Sequence, residues 1–179
     1  MPTSTPTPVV SSLPESRAVT VPPSEMALQL SDMNSDYRIK DRSVISLQEV
    51  DQFKRDIGWK EGYFVRFYRL DKDKDDQTIV LQSINIFPLE NMNKVFKAEK
   101  EEMKSRSNVS STFYEIPFPM VGDMSIAFRE TQAGNPYESV VYTVLFSKKN
   151  VYEKITMTGS TTDYEALKTL TRRAAEKIR

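Results

Sequence analysis

The chemistry open to this chain rests on oxygen and amine groups, because it contains no histidine and no cysteine. That composition excludes Ser-His-Asp and Cys-His catalysis, ordinary zinc sites, haem ligation and thiol redox chemistry. Two carboxyls facing one another across a sheet could still hydrolyse glycosides. Charged residues on a half-exposed sheet are usually solvated, so a non-catalytic chain is favoured over an enzyme. The carboxylates on or beside predicted strands are Glu115, Asp123, Glu130, Glu138 and Glu153.

A charged loop carries carboxylates at a spacing that suits a hard cation. Asp71, Asp73 and Asp75 stand at the first, third and fifth positions, as in a calcium loop. The sixth position is Asp76 where an EF-hand has glycine, and the twelfth is Gln82 where it has a bidentate glutamate. We therefore expect a solvated hairpin tip with no metal and no other cofactor. The alternative is a calcium-stabilised module, whose melting temperature would rise in millimolar calcium.

Two further groups could contact a ligand. Gly122 and Asp123 open a predicted strand, where glycine permits positive φ and aspartate fixes the turn. Trp59 and Tyr68 belong to an aromatic cluster that could stack on a ligand. The structural alternatives are strand initiation for the first pair and core packing for the second. We expect weak ligand-binding candidates and no catalytic residue.

A glycosylation sequon lies in a predicted polar loop, at Asn108-Val109-Ser110. About one such motif is expected by chance in a chain this rich in serine and threonine. Asn108 is therefore a weak candidate for glycosylation, although it agrees with export.

Composition changes sharply near residue 25. Residues 1–25 hold six of the ten prolines and contain no glycine and no aromatic residue, which predicts a disordered Ser/Thr/Pro-rich tether. Residues 26–179 are expected to form a single domain. Such tethers often follow a cleaved signal or a lipid anchor, so we expect an extracytoplasmic domain that reaches a membrane only through a missing N-terminal anchor. A cytoplasmic chain with a flexible N-terminus is the alternative.

Charge indicates the class of partner. Lys+Arg and Asp+Glu are both 25, so the net charge is zero and no long-range field draws the chain to nucleic acid. We expect an unknown protein or small-molecule ligand, no nucleic acid, and a monomer or weak dimer.

The elements that position these residues follow from hydrophobic spacing. A capping box at Ser46 predicts a helix over 47–57, helical spacing predicts a second over 88–106, and a capping box at Thr162 starts a third that runs to the end of the chain. The prolines at 117 and 119 predict an irregular connection between helix and strand. Alternation predicts strands over 63–70, 78–87, 124–130, 137–147 and 151–158, and residues 37–46 are expected to be extended as well.

The predicted order is a strand hairpin, a helix, a three-stranded meander and a terminal helix. It indicates an α+β fold, with an antiparallel sheet of about five to six strands packed with two main amphipathic helices.

This layout resembles uncharacterised exported or lipoprotein-type surface domains of methanogenic archaea. The resemblance covers residues 27–178 and rests on the tether, the hairpin, the proline-containing lead into Gly122-Asp123-Met124-Ser125 and the terminal helix. More loosely, it is similar to the α/β sandwich of the photosystem extrinsic protein PsbP. The resemblance implies a non-catalytic binding or interaction domain tethered to a cell surface. A carboxylate-dependent hydrolase of surface glycans is the alternative.

Overall fold

A single seven-stranded antiparallel sheet organises the chain. The computed structural model describes residues 18–71, 76–106, 111–132, 140–159 and 161–179. The strand order across the sheet is β1-β2-β3-β7-β6-β5-β4. The last strand, β7, therefore lies between β3 and β6 and joins the two halves of the sheet. The strands are β1 Arg38–Val44, β2 Glu61–Asp71, β3 Asp76–Ile86, β4 Ser111–Ile116, β5 Met124–Gln132, β6 Val140–Lys148 and β7 Val151–Gly159.

Helices cover both faces of this sheet. One face carries α4 and the N-terminal segment, and the other carries α2 and α3. No described helix combines the length and the apolar character that crossing a membrane requires. The helices are α1 Pro23–Met26, α2 Gln52–Asp56, α3 Met92–Ser105 and α4 Tyr164–Lys177, with 3-10 turns at Leu30–Asp32, Leu47–Glu49 and Leu89–Asn91.

Alternation along the central strands feeds two separate cores. Phe146 of β6 packs in the core under α4, and its neighbour Leu145 packs in the core under α3. The same division separates Ile155 from Tyr152 on β7. Successive side chains of a strand point to opposite faces, so a strand covered on both sides is apolar at nearly every position.

The N-terminal segment is part of the α4 face. Val19 is buried, and its backbone N–H donates to Asn150 Oδ1 at 2.6 Å. Leu28 N–H donates to Gln82 Oε1 at 2.8 Å, which fixes the segment to the middle of β3. Residues 18–25 of the predicted tether therefore pack on the domain, and residues 1–17 lie outside the described part.

The α+β class, the β2–β3 hairpin and the β5–β6–β7 meander are confirmed. The expected strand count was too low, because 111–116 forms β4 where an irregular connection was predicted. The prolines follow Ile116 and β4 lies at the edge of the sheet, so neither proline removes a ladder hydrogen bond.

Two helix starts also differ from prediction. Ser46 and Glu49 do form the capping box, but it closes only the turn Leu47–Glu49. Val50 is then extended, and Asp51 caps a separate short α2. At the terminal helix the cap is Asp163, whose carboxylate accepts the first free backbone donors of α4.

Candidate functional site

A cavity of about 190 Å³ lies between α2 and α3, above β3 and β7. We call it the α2–α3 cleft. Its wall mixes charged, amide and hydroxyl groups with few apolar side chains, which suits a polar occupant. The lining residues are Ile45, Glu49, Val50, Asp51, Lys54, Ser83, Asn85, Glu99, Tyr152 and Lys154.

Two consecutive caps place Lys54 at this cleft. Ser46 N–H and Oγ both donate to Glu49 Oε2 at 2.7 Å, which tightens the first turn. Asp51 Oδ1 then accepts from Lys54 N–H at 2.8 Å and starts α2. Lys54 Nζ lies 3.0 Å from Asp51 Oδ2 and 2.7 Å from Glu99 Oε1. The short helix thus carries an ammonium group across to α3.

Glu99 is the centre of the ionic cluster on the floor of the cleft. It is 3% exposed. Tyr152 Oη donates to its Oε2 at 3.0 Å, and Lys154 Nζ lies 3.4 Å from the same oxygen. Burial acts to raise the pKa of Glu99, but the charges of Lys154 and Lys54 and the tyrosine hydrogen bond outweigh it and lower that pKa. Glu99 is therefore an ionised, fully paired carboxylate.

The pKa values of two partners of Glu99, Lys54 and Tyr152, are raised. Burial acts to lower the pKa of Lys54, but the carboxylates of Glu99 and Asp51 raise it overall. Burial and the charge of Glu99 raise the pKa of Tyr152 well above its ordinary value. Lys54 therefore stays charged and Tyr152 stays a hydroxyl donor at neutral pH.

A second polar chain runs along the cleft wall. Trp59 Nε1 donates to Asn85 Oδ1 at 2.9 Å, and Asn85 Nδ2 donates to Ser83 Oγ at 3.1 Å. Trp59, one of the predicted binding residues, therefore lies one hydrogen bond away from the cavity.

Glu49 and Asp51 add two further carboxylates to the lining of the cleft. The hydrogen bonds from Ser46 lower the pKa of Glu49. Burial acts to raise the pKa of Asp51, and the hydrogen bonds from Lys54 outweigh it and lower that pKa. With Glu99, all three carboxylates of the cleft are ionised near neutral pH. The cleft thus offers anionic groups and ammonium groups to one occupant.

Glu153 lies on the other face of the sheet and differs from Glu99 in its partners and in the direction of its pKa shift. It is fully buried at 0% exposure, and Gln82 Nε2 donates to its Oε2 at 2.7 Å. Its Oε1 is buried with no hydrogen-bond partner among the described residues. Burial raises the pKa of Glu153 to about 8, against the opposing effect of the Gln82 hydrogen bond. This carboxyl is a neutral group inside the core beneath the N-terminal segment.

Gly122 and Asp123 link two turns. Gly122 has φ +67°, and a Cβ there would lie 2.2 Å from the backbone oxygen of Ser147. Asp123 N–H donates to that same oxygen at 2.7 Å, and Asp123 Oδ2 accepts from Lys149 N–H at 2.6 Å. The pair therefore joins the start of β5 to the β6–β7 turn. A ligand contact at these two residues stays a prediction.

The other predicted site residues lie apart from the cleft. Tyr68 is partly buried on β2, beyond Arg66, which pairs with Asp41 at 3.2 Å. Of the remaining carboxylates, Glu115 pairs with Lys100 at 3.6 Å on an exposed part of β4. Outside the described residues or side chains fall Asp71, Asp73, Asp75, Asn108 and Glu138. Within the described part, no three His, Cys, Asp or Glu side chains are grouped to hold a metal ion.

The residues that form the cleft were not among the predicted candidates, with the exception of Trp59 as a neighbour. One sequence signal was available. Glu99 lies four residues after Val95 and four before Met103, both of which are buried, so it occupies the apolar stripe of α3. A carboxylate at that position must be buried and needs a cationic partner.

Comparison with known proteins shows similarity in fold and none in sequence. No protein-family model matches the chain, and no curated protein matches it in sequence. The crystal structure of the extracellular domain of PknH from Mycobacterium tuberculosis is similar, with a TM-score of 0.64, 14% identity, 86% of this chain covered and 93% of that chain. A putative uncharacterized protein from Mycobacterium smegmatis, an Rv0999 ortholog, gives a TM-score of 0.49, 10% identity and coverage of 86% and 95%.

These two similar structures show no link to methanogen surface domains or to PsbP, and that part of the predicted resemblance stays a prediction. This chain has a fold similar to that of a bacterial extracellular domain.

Proposed function

We propose that this protein is a non-catalytic extracytoplasmic binding domain that takes a small zwitterionic molecule in the α2–α3 cleft. The observation that carries the proposal is the paired, buried Glu99 at the floor of an open cavity. Burying an ion pair costs several kcal/mol of desolvation, so such a pair contributes little to the free energy of unfolding. Its position at a cavity wall favours a role in recognition.

The charges around the cleft define the ligand. Lys54 is shared between Asp51 and Glu99, whereas Lys154 has Glu99 alone as an ion-pair partner among the described residues. Lys154 therefore keeps N–H donors for an incoming carboxylate. Glu49 lies at the same cavity, and its Oε1 has no hydrogen-bond partner among the described residues, so it suits an ammonium group. A molecule of amino-acid size carries both charges and fits about 190 Å³.

The pKa shifts of the carboxyl groups argue against the hydrolase alternative. Glycoside hydrolysis requires one carboxylic acid that is protonated near neutral pH beside one that is ionised. Glu49, Asp51 and Glu99 all have lowered pKa values. Among the described carboxyls, the one with a raised pKa is Glu153, which is fully buried in the core on the other face of the sheet.

Isothermal titration of the full chain with single L-amino acids tests the proposal. We expect saturable binding in the micromolar to millimolar range for at least one of them. Lys154→Met should weaken it by about tenfold or more, because a charge-assisted hydrogen bond to the ligand carboxylate is lost. The matched control is Lys97→Met, which removes a lysine from the exposed side of α3. The amide of the same amino acid should bind much more weakly than the free acid.

Two results would overturn this assignment. One is the absence of saturable binding for every amino acid up to about ten millimolar, a concentration at which a site of even the weakest useful affinity is occupied. The other is equal binding by the wild type and Lys154→Met.

The extracytoplasmic location is supported by the similarity in fold to an extracellular domain and by the Ser/Thr/Pro-rich residues 1–17. Protease treatment of intact cells that produce the native full-length protein checks it. We expect the domain to be released or degraded while a cytoplasmic marker survives. Protection of the domain until the cells are lysed would contradict this location.

A further inference from the structure

A second cavity lies on the opposite face of the sheet from the α2–α3 cleft. Its volume is about 220 Å³, and it forms where the segment before β1, the end of β2 and α4 meet. We call it the α4 cavity. Its apolar part consists of the buried side chains of Met33, Tyr37, Met157 and Leu170. These residues belong to the core under α4, so the cavity opens that core toward the surface.

The carboxylates at the α4 cavity are already occupied. Asp163 Oδ1 accepts from the backbone N–H groups of Glu165 and Ala166 at 2.9 and 3.1 Å, and thereby caps α4. Asp32 Oδ2 lies 2.9 Å from Lys177 Nζ and accepts from Gln29 N–H at 2.7 Å. Their charges are balanced by the helix terminus and by a lysine, so neither is available to a cationic ligand.

One guanidinium group is held rigidly at the edge of this cavity. Arg69 lies over the ring of Tyr37, 5.3 Å from its centroid. Its Nη2 donates to the backbone oxygen and the hydroxyl of Thr161, at 3.3 and 3.1 Å, and its Nε lies 3.6 Å from Asp36. Among the described residues, Nη1 has no hydrogen-bond partner. Arg69 is therefore fixed in place with donors left over.

A second guanidinium group lines the cavity from α4. Arg173 donates one Nη1 hydrogen bond to the backbone oxygen of Asp32, and in the described part of the chain it forms no ion pair. Arg173 is an exposed residue. Arginine presents five donors in a planar fork, so most of its capacity is unused.

We propose that the α4 cavity binds a small amphipathic carboxylate. Arg69 and Arg173 hold the carboxylate, and the apolar body lies against Met33, Met157 and Leu170. Guanidinium groups match carboxylates in a bidentate geometry, and an apolar floor adds affinity only for an organic anion. Drug-sized pockets have volumes of about 300–1,000 Å³, so this smaller cavity suits a molecule such as benzoate.

Titration of the full chain with benzoate, followed by backbone amide shifts in NMR, tests this site. We expect saturable shifts at Tyr37, Thr161 and Arg173 at millimolar concentration. Arg173→Met should weaken binding by about tenfold, because it removes a charge-assisted contact. Arg172→Met is the matched control: it removes the neighbouring exposed arginine, which does not line the cavity, and should bind benzoate as the wild type does.

Two further ligands separate the contributions of charge and apolar surface. Benzamide has the ring without the charge, and inorganic phosphate has the charge without the ring; both should bind much more weakly than benzoate. Absence of saturable shifts, equal binding by Arg173→Met, or binding of benzamide or phosphate as tight as benzoate would each overturn the proposal. The Lys154→Met variant should bind benzoate normally, so this site can fail or hold independently of the α2–α3 cleft.

Discussion

Two glutamates are buried in the described part of the chain, and they occupy opposite faces of the sheet and have opposite protonation states. Glu99 is 3% exposed and is surrounded by Lys54, Lys154 and the hydroxyl of Tyr152. Glu153 is 0% exposed and has one amide donor, Gln82. Burial raises the pKa of both, but only Glu99 has enough positive charge nearby to reverse the direction. Compensating charge, and not the degree of burial, decides which glutamate is ionised.

The difference gives the two residues opposite effects on stability as pH changes. The pKa of Glu99 in the folded state is lowered, so its stabilising contribution is present above its ordinary pKa and is lost as pH falls through the folded value. The pKa of Glu153 is raised, so the folded state is most stable below its ordinary pKa and loses stability as pH rises through about 8. Together they favour mildly acidic conditions.

The largest expected effect is that of Glu153→Gln. Between the ordinary pKa of 4.5 and about 8, the folded wild type keeps a proton that the unfolded chain releases. At about 1.4 kcal/mol per pKa unit, this lowers the free energy of unfolding by up to about 4 kcal/mol at pH 8. Glutamine mimics the neutral acid and does not titrate. Urea denaturation at pH 4, 6 and 8 should show equal stability at pH 4 and a growing advantage for the variant at higher pH.

Glu101→Gln, at an exposed position of α3, is the control for the loss of a carboxylate as such, and it should follow the wild-type pH profile. A parallel pH profile for Glu153→Gln and the wild type would mean that Glu153 titrates normally, and the contrast between the two glutamates would disappear.

Glu99→Gln should have a smaller effect with the opposite sign. The amide cannot balance two ammonium groups, and removing one partner of a buried ion pair typically costs about 3–5 kcal/mol. Lys54 and Lys154 are about a quarter exposed, at 23% and 26% of their side chains, so they can turn toward water. We therefore expect a loss of about 2 kcal/mol at pH 7. The loss should shrink as pH falls below the ordinary pKa of 4.5, because the stabilising contribution of the wild-type carboxylate is lost there. A loss independent of pH would contradict the ionic role of Glu99.

Both glutamates could have been located from sequence, because each breaks an apolar pattern. Glu153 alternates with Val151, Ile155 and Met157, which are all buried on the same face of β7. Glu99 stands at helical spacing between buried residues of α3. The carboxylates of strands were expected to be solvated. The positions of Glu99 and Glu153 in these periodic patterns already indicate that both are buried.

The partners of the glutamates could not have been located in the same way. Lys54 and Glu99 are 45 positions apart, and their contact depends on the short turn that places α2 beside α3. That turn exists because Asp51 restarts the helix after the Ser46–Glu49 box, a competition between two valid caps. Local signals predicted the hairpin, the meander and the two long helices. They did not predict which caps prevail or how distant elements meet.

The smallest expected effect, from Tyr152→Phe, distinguishes the hydroxyl of Tyr152 from its ring. The ring is 1% exposed and packs in the core under α3, and phenylalanine keeps that packing. The hydroxyl donates to Glu99 Oε2 at 3.0 Å, so its removal costs one hydrogen bond to a charged acceptor, about 1.5 kcal/mol. Thermal unfolding at pH 7 measures it, with Tyr142→Phe as the control, because no hydrogen bond of the Tyr142 hydroxyl is found among the described residues. An unchanged stability for Tyr152→Phe would mean that the two lysines alone hold Glu99 ionised, and the tyrosine would then serve the cleft only through its ring.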